Sequence, residues 1–250
     1  MKQGLYSLQG EFHFAKRQAN GKPGISVWAG NVAEATLNLG VTAVDKKETF
    51  SGSRGLYGRM YSDKTATLSG VLDEWSIRNL ALLLHSESID EAGGSVTGEE
   101  FPDDLVDGDI IMLDQPYASG LVLTDSATPT AATVDTDRYE FAGHNQRAIR
   151  LLDVSGHVQP FSAAYTAASY DNIGFFKNVP EEIYLIFDGI DTESDQPVII
   201  DCFRVQFDPV ANLALLNPEY GSLPFNAALM YDPRNAADGG YARLLAKKSS

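Results

Sequence analysis

Residues 31–44, NVAEATLNLGVTAV, alternate apolar and polar side chains: Val32, Ala35, Leu37, Leu39 and Val41 fall between Glu34, Thr36, Asn38 and Thr42, with one slip at Ala33. Period two marks a strand with one face on a core and the other in water. Residues 63–72, DKTATLSGVL, repeat the pattern, with Ala66, Leu68 and Leu72 on one face and Thr65, Thr67 and Ser69 on the other. Between them lies KKETFSGSRGLYGRMYS, whose Gly52, Gly55 and Gly58 permit turn conformations. The three segments predict a long hairpin with an extended basic tip over 46–64. Lys46, Lys47, Arg54, Tyr57, Arg59 and Tyr61 on that tip are candidate interface residues, since Arg and Tyr are enriched among interface anchors.

One helix is predicted over DEWSIRNLALLLHSES, residues 73–88, where Ile77, Leu80, Ala81 and Leu84 recur at helical spacing. Ser76 or Asp73 can cap it, and Trp75 is expected to pack at its start. Residues 86–108 read as a polar, acidic connection. Residues 109–170 then read as a small β unit with strands at DIIMLD, SGLVLTD, RYEFAG, AIRLLDV and PFSAAYTAA. Long strands return at EEIYLIFDGI and PVIIDCFRVQFDP. VANLALL reads as a helical or turn segment, and SLPFNAALMYDP with GGYARLLAK as a final strand pair. The whole is mainly β with one principal helix.

Length and composition narrow the function classes. With 250 residues the chain can bury a sizeable core, and 44% apolar with 21% charged residues is ordinary for a globular protein. The formal net charge of −15 opposes wrapping nucleic acid, because phosphates would be repelled. No apolar run approaches the ~18–20 residues that span a bilayer, so no membrane is expected as a partner. One cysteine, Cys202, excludes an intrachain disulfide framework. The charge is uneven: residues 1–22, 44–64 and 241–250 carry +3, +2 and +3, while residues 65–240 hold 29 acids and 7 bases. Charge alone fits either an acidic body with basic ends or a self-complementary molecule whose basic loops meet acidic faces of identical copies. Head-to-tail contacts of the second kind make rings or filaments.

Catalytic signatures are missing. The sequence holds no GxxxxGK[ST], GxSxG or HExxH, and His13, His85, His144 and His157 are scattered. The carboxylates of EEFPDDLVDGD lack the alternating order of a calcium loop and read as a solvated acidic loop. Neither an enzyme, a metal site nor a cofactor is expected.

GNVAEATLNLGVTAVDKKE, then DKTATLSGVLDEWSIRNLALLL, then EEIYLIFDGIDTESDQPVIIDCFRVQFDPVANLALLNPEYGSLPFNAALMYDP resemble the tail tube (major tail) proteins of tailed bacteriophages. The resemblance covers about residues 28–86 and 178–233, roughly half the chain. It implies a β-sandwich or barrel flanked by one helix, formed by 1–86 and 178–250, with 87–177 as an inserted small β domain or decoration. It implies a structural virion protein that stacks as hexameric rings into a hollow tube conducting genomic DNA during ejection. The implied partners are other copies of the chain, a tape measure protein in the lumen, and tail terminator and baseplate or distal tail proteins at the ends, with or without a sheath. DNA would transit without specific binding. The implied location is the virion tail, after assembly in the host cytoplasm. Glu34, Thr36, Asn38, Thr65, Thr67 and Ser69 are then candidate lumen-facing residues, because DNA slides past a face without bases. Two alternatives stay open: a bacterial contractile-injection or type VI-like tube protein, and a monomeric carbohydrate-binding β-sandwich.

Overall fold

A computed structural model describes residues 5–247. Lys2 and Lys248, which contribute to the basic ends, lie outside the described residues. The protein is mainly β, with half its residues in strands. Its strands in chain order are β1 (Leu8–Arg17), β2 (Pro23–Trp28), β3 (Val32–Lys47) and β4 (Leu56–Leu72). Helix α1 (Ile77–Leu83) follows, then β5 (Ser88–Glu91), β6 (Gly94–Glu100), β7 (Ile110–Met112), β8 (Ala118–Thr124), β9 (Tyr139–Ala142), β10 (Ala148–Leu151), β11 (Ser162–Ala167) and β12 (Tyr170–Ile173). The chain ends with β13 (Ile183–Asp191), β14 (Gln196–Phe207), β15 (Leu223–Leu229) and β16 (Ala242–Ala246). Two compact units result, Ile89–Asn172 and the residues on either side of it.

The larger unit is one antiparallel sheet in the order β2-β1-β13-β14-β15-β4-β3, with β16 also on β14. Alternation decides which face is buried. In β15, Leu223, Phe225, Ala227 and Leu229 are buried and the residues between them are exposed. Phe14, Phe207 and Phe225 form a run of tilted and edge-on rings with centroids 5.1 and 5.6 Å apart. Leu80, Leu83 and Leu84 close over this cluster, so the helix covers the apolar face of the sheet. Gly70 makes room for it: a Cβ there would lie 2.6 Å from the Phe225 ring.

Several expectations are corrected. The helix is seven residues long rather than the expected span of 73–88; Ser76 caps it by accepting from the Asn79 N–H at 3.1 Å. Trp75 is 60% exposed instead of packed, and Leu83 rather than Ile77 enters the core. VANLALL is a loop without regular structure, with Leu215 and Leu216 exposed. β15 and β16 do not pair with each other; each joins β14. The expected connection over 86–108 contains β5 and β6. Residues 8–28, where the sequence pattern predicts no element, form β1 and β2, with Gly21 at φ 84° in the turn between them.

The smaller unit has two three-stranded sheets, β7-β10-β9 and β6-β11-β8. Phe101, Leu113, Leu123, Ile149, Leu151 and Phe161 fill the space between them. Inside this unit Asp125 accepts the Ala132 N–H at 2.6 Å and faces His157 Nδ1 at 3.2 Å. Its carboxyl is held below the ordinary value, chiefly by the Ala132 amide.

Candidate functional site

The feature that stands out from the core is the β3–β4 hairpin. β4 pairs with β15 only from Leu72 to Ala66, whereas β3 and β4 stay paired from Val32↔Leu72 out to Lys47↔Leu56. Beyond Ala66 the hairpin is therefore a two-stranded ribbon, a form that is at best marginally stable alone in water. The slip in the pattern at Ala33 is a bulge, where the register shifts between Val32 and Glu34.

Cross-strand partners share a face, so the register sorts the side chains. One face carries Leu37↔Leu68, Leu39↔Ala66, Val41↔Lys64 and Ala43↔Tyr61. This is the core face of the sheet, continued outward past the body. Leu68 and Ala66 are buried, but Leu39 is 74% and Val41 57% exposed. The alternation of 31–44 therefore predicts the faces, but the expected burial of the apolar one fails beyond Leu37: among the described residues none buries Leu39 or Val41.

The other face carries Thr36↔Ser69 and Asn38↔Thr67, with Glu34 opposite Val71 and Thr65 opposite Gly40. All six lumen candidates thus lie together on one face, the one that α1 does not cover. β15 extends the rows, placing Asn226 beside Ser69 and Ala228 beside Thr67. Asn226 and Ala228 were missed in the sequence, although the alternation of LPFNAAL carries the signal. From 32 to 45 and from 60 to 72 this face has no base, since Lys64 points to the opposite side with Val41; its first cation is Lys46, opposite Gly58 near the tip.

The six interface candidates divide. Lys46, Lys47, Arg54 and Tyr57 gather at the tip, and Arg59 and Tyr61 sit on the stem. Arg59 Nε is bound to Asp45 Oδ1 across the ribbon at 2.8 Å, so its charge is engaged within the hairpin. Among the described residues no ion pair holds Lys46, Lys47 or Arg54, and all three are exposed. Tyr57 stacks edge-on with Phe50, centroids 6.1 Å apart, and both rings are mostly in solvent.

Glu48 holds the tip turn. Its carboxylate accepts from the Ser51 hydroxyl, the Ser51 N–H at 3.1 Å and the Ser53 hydroxyl at 2.8 Å, while its own N–H donates to Gly55 O at 2.9 Å. The two serine hydroxyls foremost pull its carboxyl from 4.5 down to about 2. A group whose pKa is depressed by folding gives order that is full above the ordinary value and is lost as pH falls through the folded one. Protection of the Ser51 and Ser53 amides, measured against an unstructured peptide at the same pH, should thus fall between pH 4.5 and about 2 in the native chain. Glu48→Ala should show the lower protection already at neutral pH, with the melting temperature unchanged. Equal protection in the two proteins would remove Glu48 from this role.

Among the described residues, no three His, Cys, Asp or Glu side chains gather so as to hold a metal ion. No described helix is long and apolar enough to cross a membrane. Cys202 is buried, and burial pushes its thiol up to about 12. What the chain presents is a mainly β scaffold displaying a two-stranded ribbon. The model of the family described as "Protein of unknown function UCP028589" matches residues 5–245, and the chain belongs to that family. No curated protein matches it.

Proposed function

We propose that the chain is a self-assembling structural protein that stacks as hexameric rings into the hollow tail tube of a tailed bacteriophage, through which DNA passes at ejection. The observation that carries this reading is the β3–β4 ribbon, whose apolar stripe runs on from the core with Leu39 and Val41 more than half exposed. Exposed contiguous apolar surface of this kind marks an interaction site. β3 and β2 are also the two edges of the sheet. Open edges invite pairing with another chain, and edges that pair around a ring remove that hazard while building a continuous wall.

The opposite face supplies the second half of the argument. Thr36, Asn38, Thr65, Thr67, Ser69 and Asn226 are short and uncharged, and Glu34 and Asp63 are the charges nearby. A channel wall needs this character, because each Lys or Arg on it would exchange counterions with the passing phosphates and hold them. The tape measure protein would occupy the same lumen before ejection.

Negative-stain electron microscopy of the purified protein across a concentration series, with and without preformed tube ends as seeds, tests the reading. Hollow tubes with sixfold end views are expected. A monodisperse particle under every condition overturns it and directs attention to glycan binding by a monomer.

A further inference from the structure

The smaller unit has an open side. β6 and β7 are edge strands of its two sheets, and between them lies a groove of about 470 Å³. That volume is within the ~300–1,000 Å³ of pockets that seat ligands. Leu105, Ile110 and Met112 line it, and Met112 is 61% exposed. Glu100, Asp109 and Asp114 are among the lining residues too. No base can neutralise them locally. Residues 89–172 hold 15 Asp and Glu against three Arg, a net of −12. Arg138 is paired with Asp153 and Arg150 with Glu140, each at 3.1 Å, and Arg147 Nε donates to Leu113 O at 2.8 Å.

An occupant of this groove has to be narrow enough to fit between two edge strands. It has to carry apolar side chains for the floor and cations for the rim. β2 with Ile25 and Trp28 has no cation of its own, and β16 with Leu244 and Leu245 is already paired to β14, its Arg243 bound to Asp201 and Asp238; three exposed apolar loops of the chain itself can be compared on those terms. The loop bearing Leu215, Leu216 and Tyr220 has Asp208 and Glu219 and no base between them. The segment with Phe175 and Phe176 has one cation, Lys177, which lies 3.6 Å from Glu87. The hairpin tip, residues 46–57, has Phe50, Leu56 and Tyr57 exposed and a net charge of +2 from Lys46, Lys47 and Arg54 against Glu48. Glu48 is spent on the turn, so the three cations are what the tip presents. We infer that the groove between β6 and β7 is the seat of the hairpin tip of a second copy of this chain.

This rests on the self-assembly reading and names the contact that would join one copy to the next. Cross-linking tests it on the full-length chain. Phe50→Cys and Met112→Cys are made in separate proteins; a disulfide forms only where two Cβ atoms come within about 4.5 Å. Buried Cys202 stays out of the reaction. Copper–phenanthroline oxidation should link the two variants when mixed at assembling concentration, and neither alone. In parallel, Glu100→Lys with Asp114→Lys should raise the concentration for half-assembly by about tenfold. Lys46→Glu with Lys47→Glu in the same chain should restore it. Normal assembly of the groove variant, without the cross-link, overturns this inference and leaves the self-assembly reading standing, with the groove assigned to another basic partner. A wild-type chain that never assembles, seeded or not, overturns both.

Discussion

Leu39→Glu combined with Val41→Glu should abolish self-association while leaving the melting temperature of the isolated protein within a degree or two of the native value. Both side chains are more than half exposed and neither contributes to the core cluster, so the folded monomer loses little. The interface loses much. Fully burying a Leu or Val side chain is worth about 1.5–3 kcal/mol, and at 74% and 57% exposed the two together have about 2–4 kcal/mol left to contribute per contact. At 1.4 kcal/mol per factor of ten, the concentration for half-assembly should rise by at least about thirtyfold. Two carboxylates that must be desolvated against an apolar partner add to this. Sedimentation velocity across a concentration series measures the effect, and circular dichroism checks the fold. Leu39→Ala with Val41→Ala should give a smaller shift in the same direction. A double Glu variant that assembles like the native chain would mean that the stripe on the ribbon faces solvent in the assembly too, and the reading built on it would fall.

The faces of this ribbon were legible in the sequence, and its exposure was not. Alternation fixes which residues share a face, and the register Thr36↔Ser69 and Asn38↔Thr67 follows the two polar runs already visible in 36–38 and 67–69. Even the slip at Ala33 had a structural meaning, the bulge opposite Leu72 and Val71. Alternation says nothing, however, about where the body beneath the strand ends, so Leu39 and Val41 read as core residues although both are more than half exposed. β6 stayed hidden because GSVTGEE is polar, glycine-bearing and on an edge, where strand propensity is a weak guide. The helix was overextended because Asp73 and Glu74 resemble a first turn; both bind Asn31 instead, which holds the chain extended ahead of Ser76. The groove between β6 and β7 was read only as a run of acids, since its floor comes from residues five to thirteen positions further along and needs the sheet edges to assemble it.

Long-range polar contacts are the least legible of all, and the one around Asp232 should prove the most costly to remove. Asp232 is 1% exposed and lies just before a short 3₁₀ turn, Pro233–Asp238. It accepts the Arg234 N–H at 3.1 Å, the Asn235 amide at 2.9 Å and Arg17 Nη2 at 2.8 Å. Arg17 in turn lies 3.5 Å from Glu182, which also pairs with Arg204. Two carboxylates and two guanidinium groups thus balance across β1, β14 and the segments beside them. Burial alone would raise the Asp232 carboxyl, but Arg17 and the turn amide outweigh it and hold it below the ordinary value. Asp232→Ala strands Arg17 beside a single partner and uncaps the turn. Breaking a buried pair in this way costs about 3–5 kcal/mol, and the partial exposure of Glu182 argues for the lower figure. For a chain of this size that is a fall in melting temperature of roughly 6–12 °C in the larger unit. Because the native carboxyl is depressed, its contribution is full above the ordinary value of 3.8 and is lost as pH falls below it. Scanning calorimetry of native and variant chains should show a wide gap at pH 7 that narrows below pH 4. A gap under a degree at pH 7 would mean that Arg17 finds a replacement partner, and that the network does not hold β1 against the C-terminal segment.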